Sequence, residues 1–380
     1  MNKILRAQSQ APDAKTAVTE LKNQFNSQSA SLLLFFCSAH YDLTAIAESF
    51  NLLFPDVAVV GCTTAGEIGP NGYIEHSISA VLFPQDEFSV VTGCLNKITE
   101  LTESDSKQFV QSLLPQREHL SRLNNHRHAF AMQLIDGLSG KEEFISYSFQ
   151  KNLGSIPLFG GSAADNMQFV QTHVFHHGAF HENSCVLVLF NTNRPFRLFK
   201  TQNFTGIGEP LVVTAADPVN RTIIELNGLP AADVYAQRIG KNISELNTHF
   251  FAAFPLVIKI NGNEYIRSIQ TMNSDGSLRL YCAIDEGVVL RVADSTNLIN
   301  DLDQQFSKLK TALGEISLTL ACDCSLRRMD IIDNQQLTAV ADIFRQYRTS
   351  GFSSFGEQFG SLHVNQTCTG IAFGCGESPS

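Results

Sequence analysis

Apolar and polar residues follow one another along the chain in blocks whose lengths indicate strands and helices in a fixed order. The first apolar run, Leu32–Cys37, has the length of a strand, and Leu43–Phe54 places its apolar residues at helical spacing. A second short apolar run, Val57–Val60, leads into Gly61, and Ile78–Phe83 forms a third. The pattern predicts a unit of strand, helix, Gly-hydroxyl turn and strand.

The same unit recurs twice further along the chain. Its second copy consists of Ala129–Ile135, a helical candidate that opens at Ser139, Ile156–Phe159 and Cys185–Phe190. Its third copy consists of Ile316–Cys322, the amphipathic stretch Leu337–Phe344 and Thr369–Phe373. Internal repeats constrain an architecture more strongly than any single element does. We therefore predict a fold built from about three related units.

Each unit carries a segment in which hydroxyl residues follow a glycine. Gly61–Glu67 and Gly351–Glu357 share the order Gly, any residue, two hydroxyl residues, any residue, Gly and Glu, and Gly160–Asp165 is a looser copy. No Lys follows the second glycine, so the segment is not a phosphate-binding P-loop, and the nucleophile elbow Gly-x-Ser-x-Gly is absent from the sequence. We expect either a tight strand-to-loop turn or a rim that faces a ligand.

The second half of the chain contains a different pattern. Residues 256–291 alternate apolar and polar positions, and the turn signals Asn261-Gly262 and Asp275-Gly276 interrupt them, which predicts a meander of antiparallel strands. The composition changes at residues 216–218. We therefore predict two domains, 1–217 and 218–380, and an α/β fold class with mixed and antiparallel sheets.

Composition and charge exclude several classes of protein. The 380 residues are 43% hydrophobic and 17% charged, which is typical of a globular chain. The net charge of −10 argues against nucleic acid or an anionic membrane as a partner. Residues 1–30 are polar, the apolar runs fall short of the roughly 20 residues of a membrane helix, and the nine cysteines are scattered. We predict a cytoplasmic protein without a disulfide framework.

Four of the eleven histidines lie close together, at His173, His176, His177 and His181. Their β-branched and aromatic neighbours, with Gly178, favour a hairpin over a helix, so His173 and His177 share one face and His176 points to the other. A three-histidine metal site then becomes unfavourable. Such a hairpin is either a polar edge or the source of a single imidazole, which suffices as the axial ligand of a haem iron.

Two more histidines, His76 and His363, follow the first and last glycine segments. We predict that they occupy equivalent places in the repeat. Residues 365–367, beside His363, could instead hold a small polar ligand. Cys37 with His40, or Cys62 with Glu67, could form a nucleophile pair, but nothing in the spacing singles these residues out. We therefore predict that the protein is not an enzyme.

Several of these motifs resemble a known family. Phe35–Ser38 and Val59–Gly69 resemble the N-terminal domain of FIST (F-box and intracellular signal transduction) proteins, and Pro157–Ala163 continues the similarity. Glu225–Ala231 and His363–Thr367 resemble the C-terminal FIST module. The resemblance covers nearly the whole chain and implies a two-domain FIST fold.

Within this family, Tyr73–Ser77, the His173–His181 hairpin and Leu320–Cys324 make the chain similar to the bacterial nitric-oxide-sensing haem proteins called NosP. That resemblance implies a haem b cofactor with nitric oxide as its ligand. It also implies a partner in biofilm or quorum signalling, either a sensor histidine kinase or a diguanylate cyclase or phosphodiesterase. It leaves open whether the protein forms a homodimer.

The resemblance implies that one histidine ligates the haem iron, and we assign this role to His176. The alternative ligands, in order of preference, are His181, His76 and His363. Basic residues in the segment 191–201 are candidate partners of the haem propionates, namely Arg197 and Lys200, with Arg194 beside them. The competing hypothesis is a haem-free FIST sensory module that binds a small metabolite such as an amino acid.

Overall fold

The computed structural model describes residues 3–25 and 28–376. It shows the predicted mixed α/β fold class, with 30% helix and 41% strand. Internal contacts divide the chain into two compact units. The first consists of the chain up to Lys200, Asp303–His363 and the segment from Cys368, and the second consists of Thr201–Leu302 and Val364–Thr367. The domains 1–217 and 218–380 stay a prediction, because contacts alone do not show which parts fold independently.

Two complete repeats occupy the first half of the chain. The first contains β1 (Leu5–Ser9), α1 (Ala14–Gln24), β2 (Ala30–Ser38), α2 (Leu43–Leu53), β3 (Ala58–Thr64), β4 (Glu67–Gly69), β5 (Gly72–Ile74) and β6 (Ile78–Pro84). The second contains β7 (Phe88–Asn96), a 3-10 turn (Ile98–Glu100), α3 (Glu103–Leu123), β8 (His128–Ile135), α4 (Glu142–Leu153), β9 (Leu158–Ser162), β10 (Val174–His176), β11 (Ala179–His181) and β12 (Ser184–Thr192).

The third repeat begins with β13 (Phe196–Gln202) and is then interrupted by the second unit. That unit contains β14 (Phe204–Asp217), β15 (Thr222–Leu226), β16 (Leu229–Pro230), α5 (Ala231–Arg238), a 3-10 turn (Ile243–Glu245), α6 (Thr248–Ala253), β17 (Leu256–Ile260), β18 (Asn263–Arg267), β19 (Ile269–Met272), β20 (Leu278–Leu280) and β21 (Val289–Ser295). The repeat resumes with α7 (Leu298–Leu313), β22 (Ile316–Cys324), α8 (Ser325–Asp333), α9 (Leu337–Gln346), β23 (Thr349–Ser354), β24 (Glu357–Phe359), β25 (Leu362–Val364) and β26 (Thr367–Gly374).

Each repeat therefore has the same order of elements: an edge strand, a helix, a first strand, one or two helices, a second strand, a hairpin and a last strand. The predicted threefold repetition is confirmed. Each hairpin directly precedes the last strand of its repeat, and the sequence pattern indicated one of the three, at the histidines of the second repeat.

The three sheets of the first unit exchange their hairpins in a cycle. Their strand orders are β1-β6-β2-β3-β10-β11, β7-β12-β8-β9-β24-β25 and β13-β26-β22-β23-β4-β5. In each sheet the second strand of one repeat pairs with a hairpin that belongs to another repeat. The first repeat receives the hairpin of the second, the second receives that of the third, and the third receives that of the first. Each sheet of the first unit thus includes strands from two repeats.

The first glycine of each segment permits a close approach of parallel strands. Gly61, Gly160 and Gly351 lie in register with Phe35, Gln133 and Ala321 of the preceding strand. A Cβ atom at any of these glycines would come within 3 Å of the carbonyl oxygen of that register partner. The predicted tight turn is therefore wrong for these residues, because they belong to β3, β9 and β23. The chain turns only after them, at Gly66 and Gly356, whose φ angles are +135° and +146°.

Alternation along the strands builds two kinds of core in the first unit. On β2, Leu32, Leu34 and Phe36 belong to a central core to which all three repeats contribute, whereas Leu33 and Phe35 pack against α1 and α2. In the central core the rings of Phe36 and Phe352 stack with centroids 4.6 Å apart. Full burial of each such side chain contributes about 1.5–3 kcal/mol.

Polar side chains define where several helices begin. Asp13 and Asp42 accept hydrogen bonds from the backbone amides of Thr16 and Ala45, in the first turns of α1 and α2. At the start of α3, Thr102 and Asp105 satisfy each other's backbone amides in a capping box. These contacts pair amides that have no partner within the helix.

The second unit contains the antiparallel strands that the alternating pattern predicted. Their order is β18-β17-β21-β14-β15-β20-β19, and β16 pairs with β15. The β17–β18 hairpin turns at Asn261 and Gly262, both with positive φ, as an Asn-Gly turn of this kind requires. Tyr235 of α5 lies in the core of this unit, and its hydroxyl group donates to the carbonyl oxygen of Phe254 at 2.9 Å.

Candidate functional site

A cavity of about 340 Å³ lies beside the hairpin formed by β10 and β11. The hairpin turns at His177 and Gly178, whose φ angles of 47° and 78° are those of a two-residue turn with both central residues left-handed. The strand β10 pairs with β3, with Phe175 opposite Gly61. The hairpin predicted around the histidines is confirmed, and this pairing fixes its position on the first sheet.

The wall of the cavity combines apolar side chains with several polar groups. Residues at the end of α2 and the start of β3 supply its apolar part, namely Phe54, Pro55, Val57, Ala58 and Val59. Polar groups are supplied by Asn51, Thr92 and His176, and the hairpin turn completes the lining with His177 and Gly178. An apolar wall with a small number of convergent polar groups is typical of small-molecule sites.

His176 is the titratable side chain placed deepest in this lining. It is 3% exposed, and its Nε2 atom lies 3.0 Å from the hydroxyl oxygen of Thr92 on β7. Burial, with smaller contributions from His177 and His181, lowers the pKa of His176 to about 4. The imidazole is therefore neutral at physiological pH, and one ring nitrogen keeps a lone pair that can bind a metal.

Two side chains hold the backbone of this hairpin in place. The Nε2 atom of His181 donates to the carbonyl oxygen of His176 at 3.1 Å. On the other side of the turn, Asn51 of α2 donates through Nδ2 to the carbonyl oxygen of Gly178 at 3.0 Å. A change at the imidazole of His176 would therefore act on a segment tied to both β11 and α2.

Family models match the chain over most of its length. The FIST N domain model matches residues 31–229, and the FIST C domain model matches residues 231–360. The chain belongs to the FIST family. No curated protein sequence matches it. FIST domains are signalling sensory modules. Among the described helices, none combines the length and the apolar character needed to cross a membrane.

Of the four candidate ligands in this FIST protein, His176 lies in the described lining of the cavity, whereas His181, His76 and His363 do not. His76 is exposed, and its Nδ1 atom lies 3.2 Å from Nδ1 of His40. His363 is 2% exposed, and its Nδ1 atom lies 3.4 Å from the side-chain amide of Gln358. The four candidate ligands therefore do not share one site.

The assumed equivalence of His76 and His363 is wrong. His363 is the middle residue of β25, as Tyr73 is of β5. His76 lies two residues after β5, and the residue two positions after β25 is Gln366. Both His76 and Gln366 have positive φ, at 50° and 48°. The two histidines look equivalent in the sequence because each follows a glycine segment. Their places differ once the hairpins β4–β5 and β24–β25 are aligned.

The basic residues predicted for the haem propionates also lie outside this lining. The guanidinium group of Arg194 forms a two-pronged ion pair with Glu87, one contact measuring 2.7 Å. Arg197 on β13 donates to the carbonyl oxygen of Phe196 at 3.1 Å, and Lys200 lies on the same strand. As far as the structure describes it, the lining contains neither Lys nor Arg.

The thiols considered as nucleophiles are inert. Cys37 and Cys62 are both 0% exposed. Burial raises the pKa of each thiol well above its ordinary value. Because the thiolate is the reactive form of cysteine, neither residue has the character of a catalytic nucleophile.

Sequence reasoning missed most of the cavity of this FIST protein. Thr92 comes from β7, Phe54 and Val57 come from the connection between α2 and β3, and His176 comes from β10. The signal that was available is the density of histidines around Gly178. Nothing in the local pattern places β7 and α2 beside them, because these contacts depend on the exchanged hairpin.

Proposed function

We propose that this protein is a haem-based sensor of nitric oxide, with His176 as the ligand of the haem iron. The observation that supports this most directly is a buried, neutral imidazole in the lining of a cavity that also offers apolar side chains. Resemblance to the NosP proteins supports haem b as the cofactor. The same resemblance supports a sensor histidine kinase or a cyclic-di-GMP enzyme as the signalling partner.

Two features of the lining fit a haem group. A neutral imidazole is a common axial ligand, and aromatic and aliphatic side chains such as Phe54 and Val57 suit the porphyrin face. The volume of about 340 Å³ lies at the lower end of the range of about 300–1,000 Å³ that ligand sites occupy. The described part of the lining contains no Lys or Arg, so Arg197 or Lys200 would have to reach the propionates from outside it.

When bound, haem would supply an iron atom to which nitric oxide binds. The part of the protein is to hold that iron through His176 and to keep water from the porphyrin with the apolar wall. Any displacement of His176 would be passed to the hairpin, because its carbonyl oxygen accepts from His181 and Asn51 holds the adjoining Gly178. A hairpin with two positions would then alter the surface that the partner recognises.

The test is a titration of tag-free protein with hemin, followed by absorption and resonance Raman spectra with and without nitric oxide. We expect His176→Gly to lose the histidine-ligated spectrum and added imidazole to restore it. Thr92→Val is expected to bind haem at least as tightly as the wild type, because it removes the group that competes for Nε2. His119→Ala, exposed on α3, is the matched control.

An unchanged Soret band and iron–histidine stretch in His176→Gly would contradict the assignment. In that case His181→Ala, His76→Ala and His363→Ala would locate the ligand. Protein that stays colourless with hemin would remove haem altogether.

A second candidate function is the binding of a small polar metabolite in the same cavity. The side chains of Asn51 and Thr92 favour it, since they add hydrogen-bonding groups that a porphyrin face does not need. A thermal-shift screen of the haem-free protein against amino acids tests this function. A ligand that stabilises the wild type but not Thr92→Val would support it.

A further inference from the structure

Four polar side-chain atoms converge where β2 ends and β6 begins. The Nδ1 atom of His40 lies 3.2 Å from Nδ1 of His76 and 3.2 Å from the hydroxyl oxygen of Ser38. The side-chain amide of Asn166 lies 2.6 Å from the same His40 nitrogen and 3.2 Å from Ser38. Three separate segments of the first unit thus supply one compact group. Its two histidines are exposed, so solutes reach them.

The position of His76 in the repeat shows what is unusual about this group. Its counterparts Asn183 and Gln366 share its positive φ, at 44° and 48° against 50°. The side-chain amides of both counterparts form hydrogen bonds with hydroxyl groups, Asn183 with Thr99 and Gln366 with Ser268. In the first repeat, position 76 carries an imidazole instead of an amide, and this imidazole faces that of His40.

The facing Nδ1 atoms have the separation of two ligands on one metal ion. With metal–nitrogen bonds of about 2.0–2.1 Å, tetrahedral geometry places two ligand nitrogens about 3.4 Å apart. Without a metal ion, only one Nδ1 of the pair can carry the proton that joins them, and protonation of both would place two like charges in contact. With a metal ion, each ring carries its proton on Nε2 and directs a lone pair inward.

We propose that His40 and His76 form a site for a divalent transition-metal ion of the class that prefers imidazole, with zinc as the representative. A rotated amide places the oxygen of Asn166 as a third ligand, and water completes the coordination. The hydroxyl group of Ser38 now contacts the same Nδ1 atom of His40, and the metal ion would replace that hydrogen bond. The neighbouring Glu75 is not a ligand, because its carboxylate pairs with Arg328.

The site differs from the proposed haem ligand, since none of its residues lines the cavity at His176. A zinc site at this place would join the end of β2 to the loop that carries Asn166. It would therefore connect the first repeat to the second by coordination, in addition to strand pairing.

The experiment measures zinc binding to tag-free, haem-free protein by competition with a chromophoric chelator, and repeats it with cobalt, whose visible absorption reports coordination. We expect one ion per chain, with affinity falling at least about tenfold in His76→Asn and in His40→Gln. Asn is chosen at position 76 because it tolerates positive φ and occupies the equivalent position 183. Asn166→Ala is expected to show a smaller loss.

His119→Ala serves as the control and is expected to bind zinc as the wild type does. Equal affinity in His76→Asn and the wild type would overturn the proposal, as would an equal loss in the control. Far-ultraviolet circular dichroism of each variant confirms that the fold is retained, so that a loss of affinity reports the ligands.

Discussion

Glu67 is a buried carboxyl group whose ionisation the fold disfavours. Its side chain accepts hydrogen bonds from the hydroxyl groups of Thr64 and Ser77 and from the backbone amide of Ser77 at 3.1 Å. Burial outweighs these contacts and raises the pKa of Glu67 to about 7. The folded protein therefore holds this proton more tightly than the unfolded chain does. Its contribution to stability is complete below about pH 4.5 and is lost as the pH rises through about 7.

Glu67→Gln is expected to remove this pH dependence, because the amide stays uncharged. Near pH 5 the wild type and the variant should differ little in their free energy of unfolding. Above about pH 7 the variant should gain on the wild type by up to about 3 kcal/mol, since one pKa unit corresponds to about 1.4 kcal/mol. Urea unfolding across this pH range measures the difference. Glu118→Gln, on the exposed side of α3, should show a flat difference. A flat difference for Glu67→Gln as well would refute this account.

At the scale of elements, the spacing of apolar residues predicted helices, because a helix depends on contacts between residues close together in the sequence. The helix α2 spans Leu43–Leu53, as the apolar spacing of Leu43–Phe54 indicated, and α9 begins at Leu337. Of the three short hairpins, the one around Gly178 was predicted from its residue types, and the other two were not, since strands of three residues leave almost no periodic signal. The partners of the hairpin strands could not be predicted either. In one such pair, Ile68 of β4 lies opposite Gly351 of β23, which is far away in the sequence.

One exchanged hairpin is held by a buried polar contact. Tyr73 of β5 donates its hydroxyl group to the carboxylate of Asp323 on β22, which also accepts from Arg327 at 2.7 Å. Asp323 and Arg327 are almost completely buried. Tyr73, from the first repeat, thus adds a hydrogen bond to the ion pair between Asp323 and Arg327 in the third repeat.

Tyr73→Phe is expected to destabilise the protein by about 1.5–3 kcal/mol, the contribution of a hydrogen bond to a charged group. Asp323→Ala should cost more, about 3–5 kcal/mol, because it leaves Arg327 buried without a counter-charge. Chemical denaturation measures both values. Tyr147→Phe, on the exposed face of α4, is the control for loss of a hydroxyl group. If Tyr73→Phe unfolds at the same denaturant concentration as this control, the contact does not hold the hairpin.

At the scale of the whole molecule, the repeat could be predicted from the sequence but the closed exchange could not. The apolar runs of β2, β8 and β22 are visible in the sequence, and burial of both faces of these strands builds the cores of the first unit. The cavity at His176 required knowledge of which hairpin joins β3, and this depends on contacts between residues more than a hundred positions apart. Long-range pairing of this kind leaves no trace in local spacing.

The cyclic exchange predicts that the first and second repeats do not fold without the third. In a fragment of residues 1–217, the hairpin β4–β5 has no β23 to pair with, and β9 loses β24. We expect such a fragment to expose apolar surface, to bind a hydrophobic dye and to unfold without a sharp transition. The predicted domain 1–217 gives the opposite expectation, so circular dichroism and dye binding of this fragment decide between the two.

Excision of the second unit is the matched control for that fragment. The ends of the unit lie together, since the amide of Thr296 donates to the carbonyl oxygen of Asn203 at 2.7 Å and Phe204 pairs with Ser295. A short Gly/Ser linker in place of residues 204–295 therefore closes the chain while all three repeats remain. Some stability is lost because Gln366 loses Ser268 as a partner. We nevertheless expect a single cooperative unfolding transition. If this variant is as disordered as fragment 1–217, the stability of the first unit depends on the inserted segment and not on the exchange of hairpins.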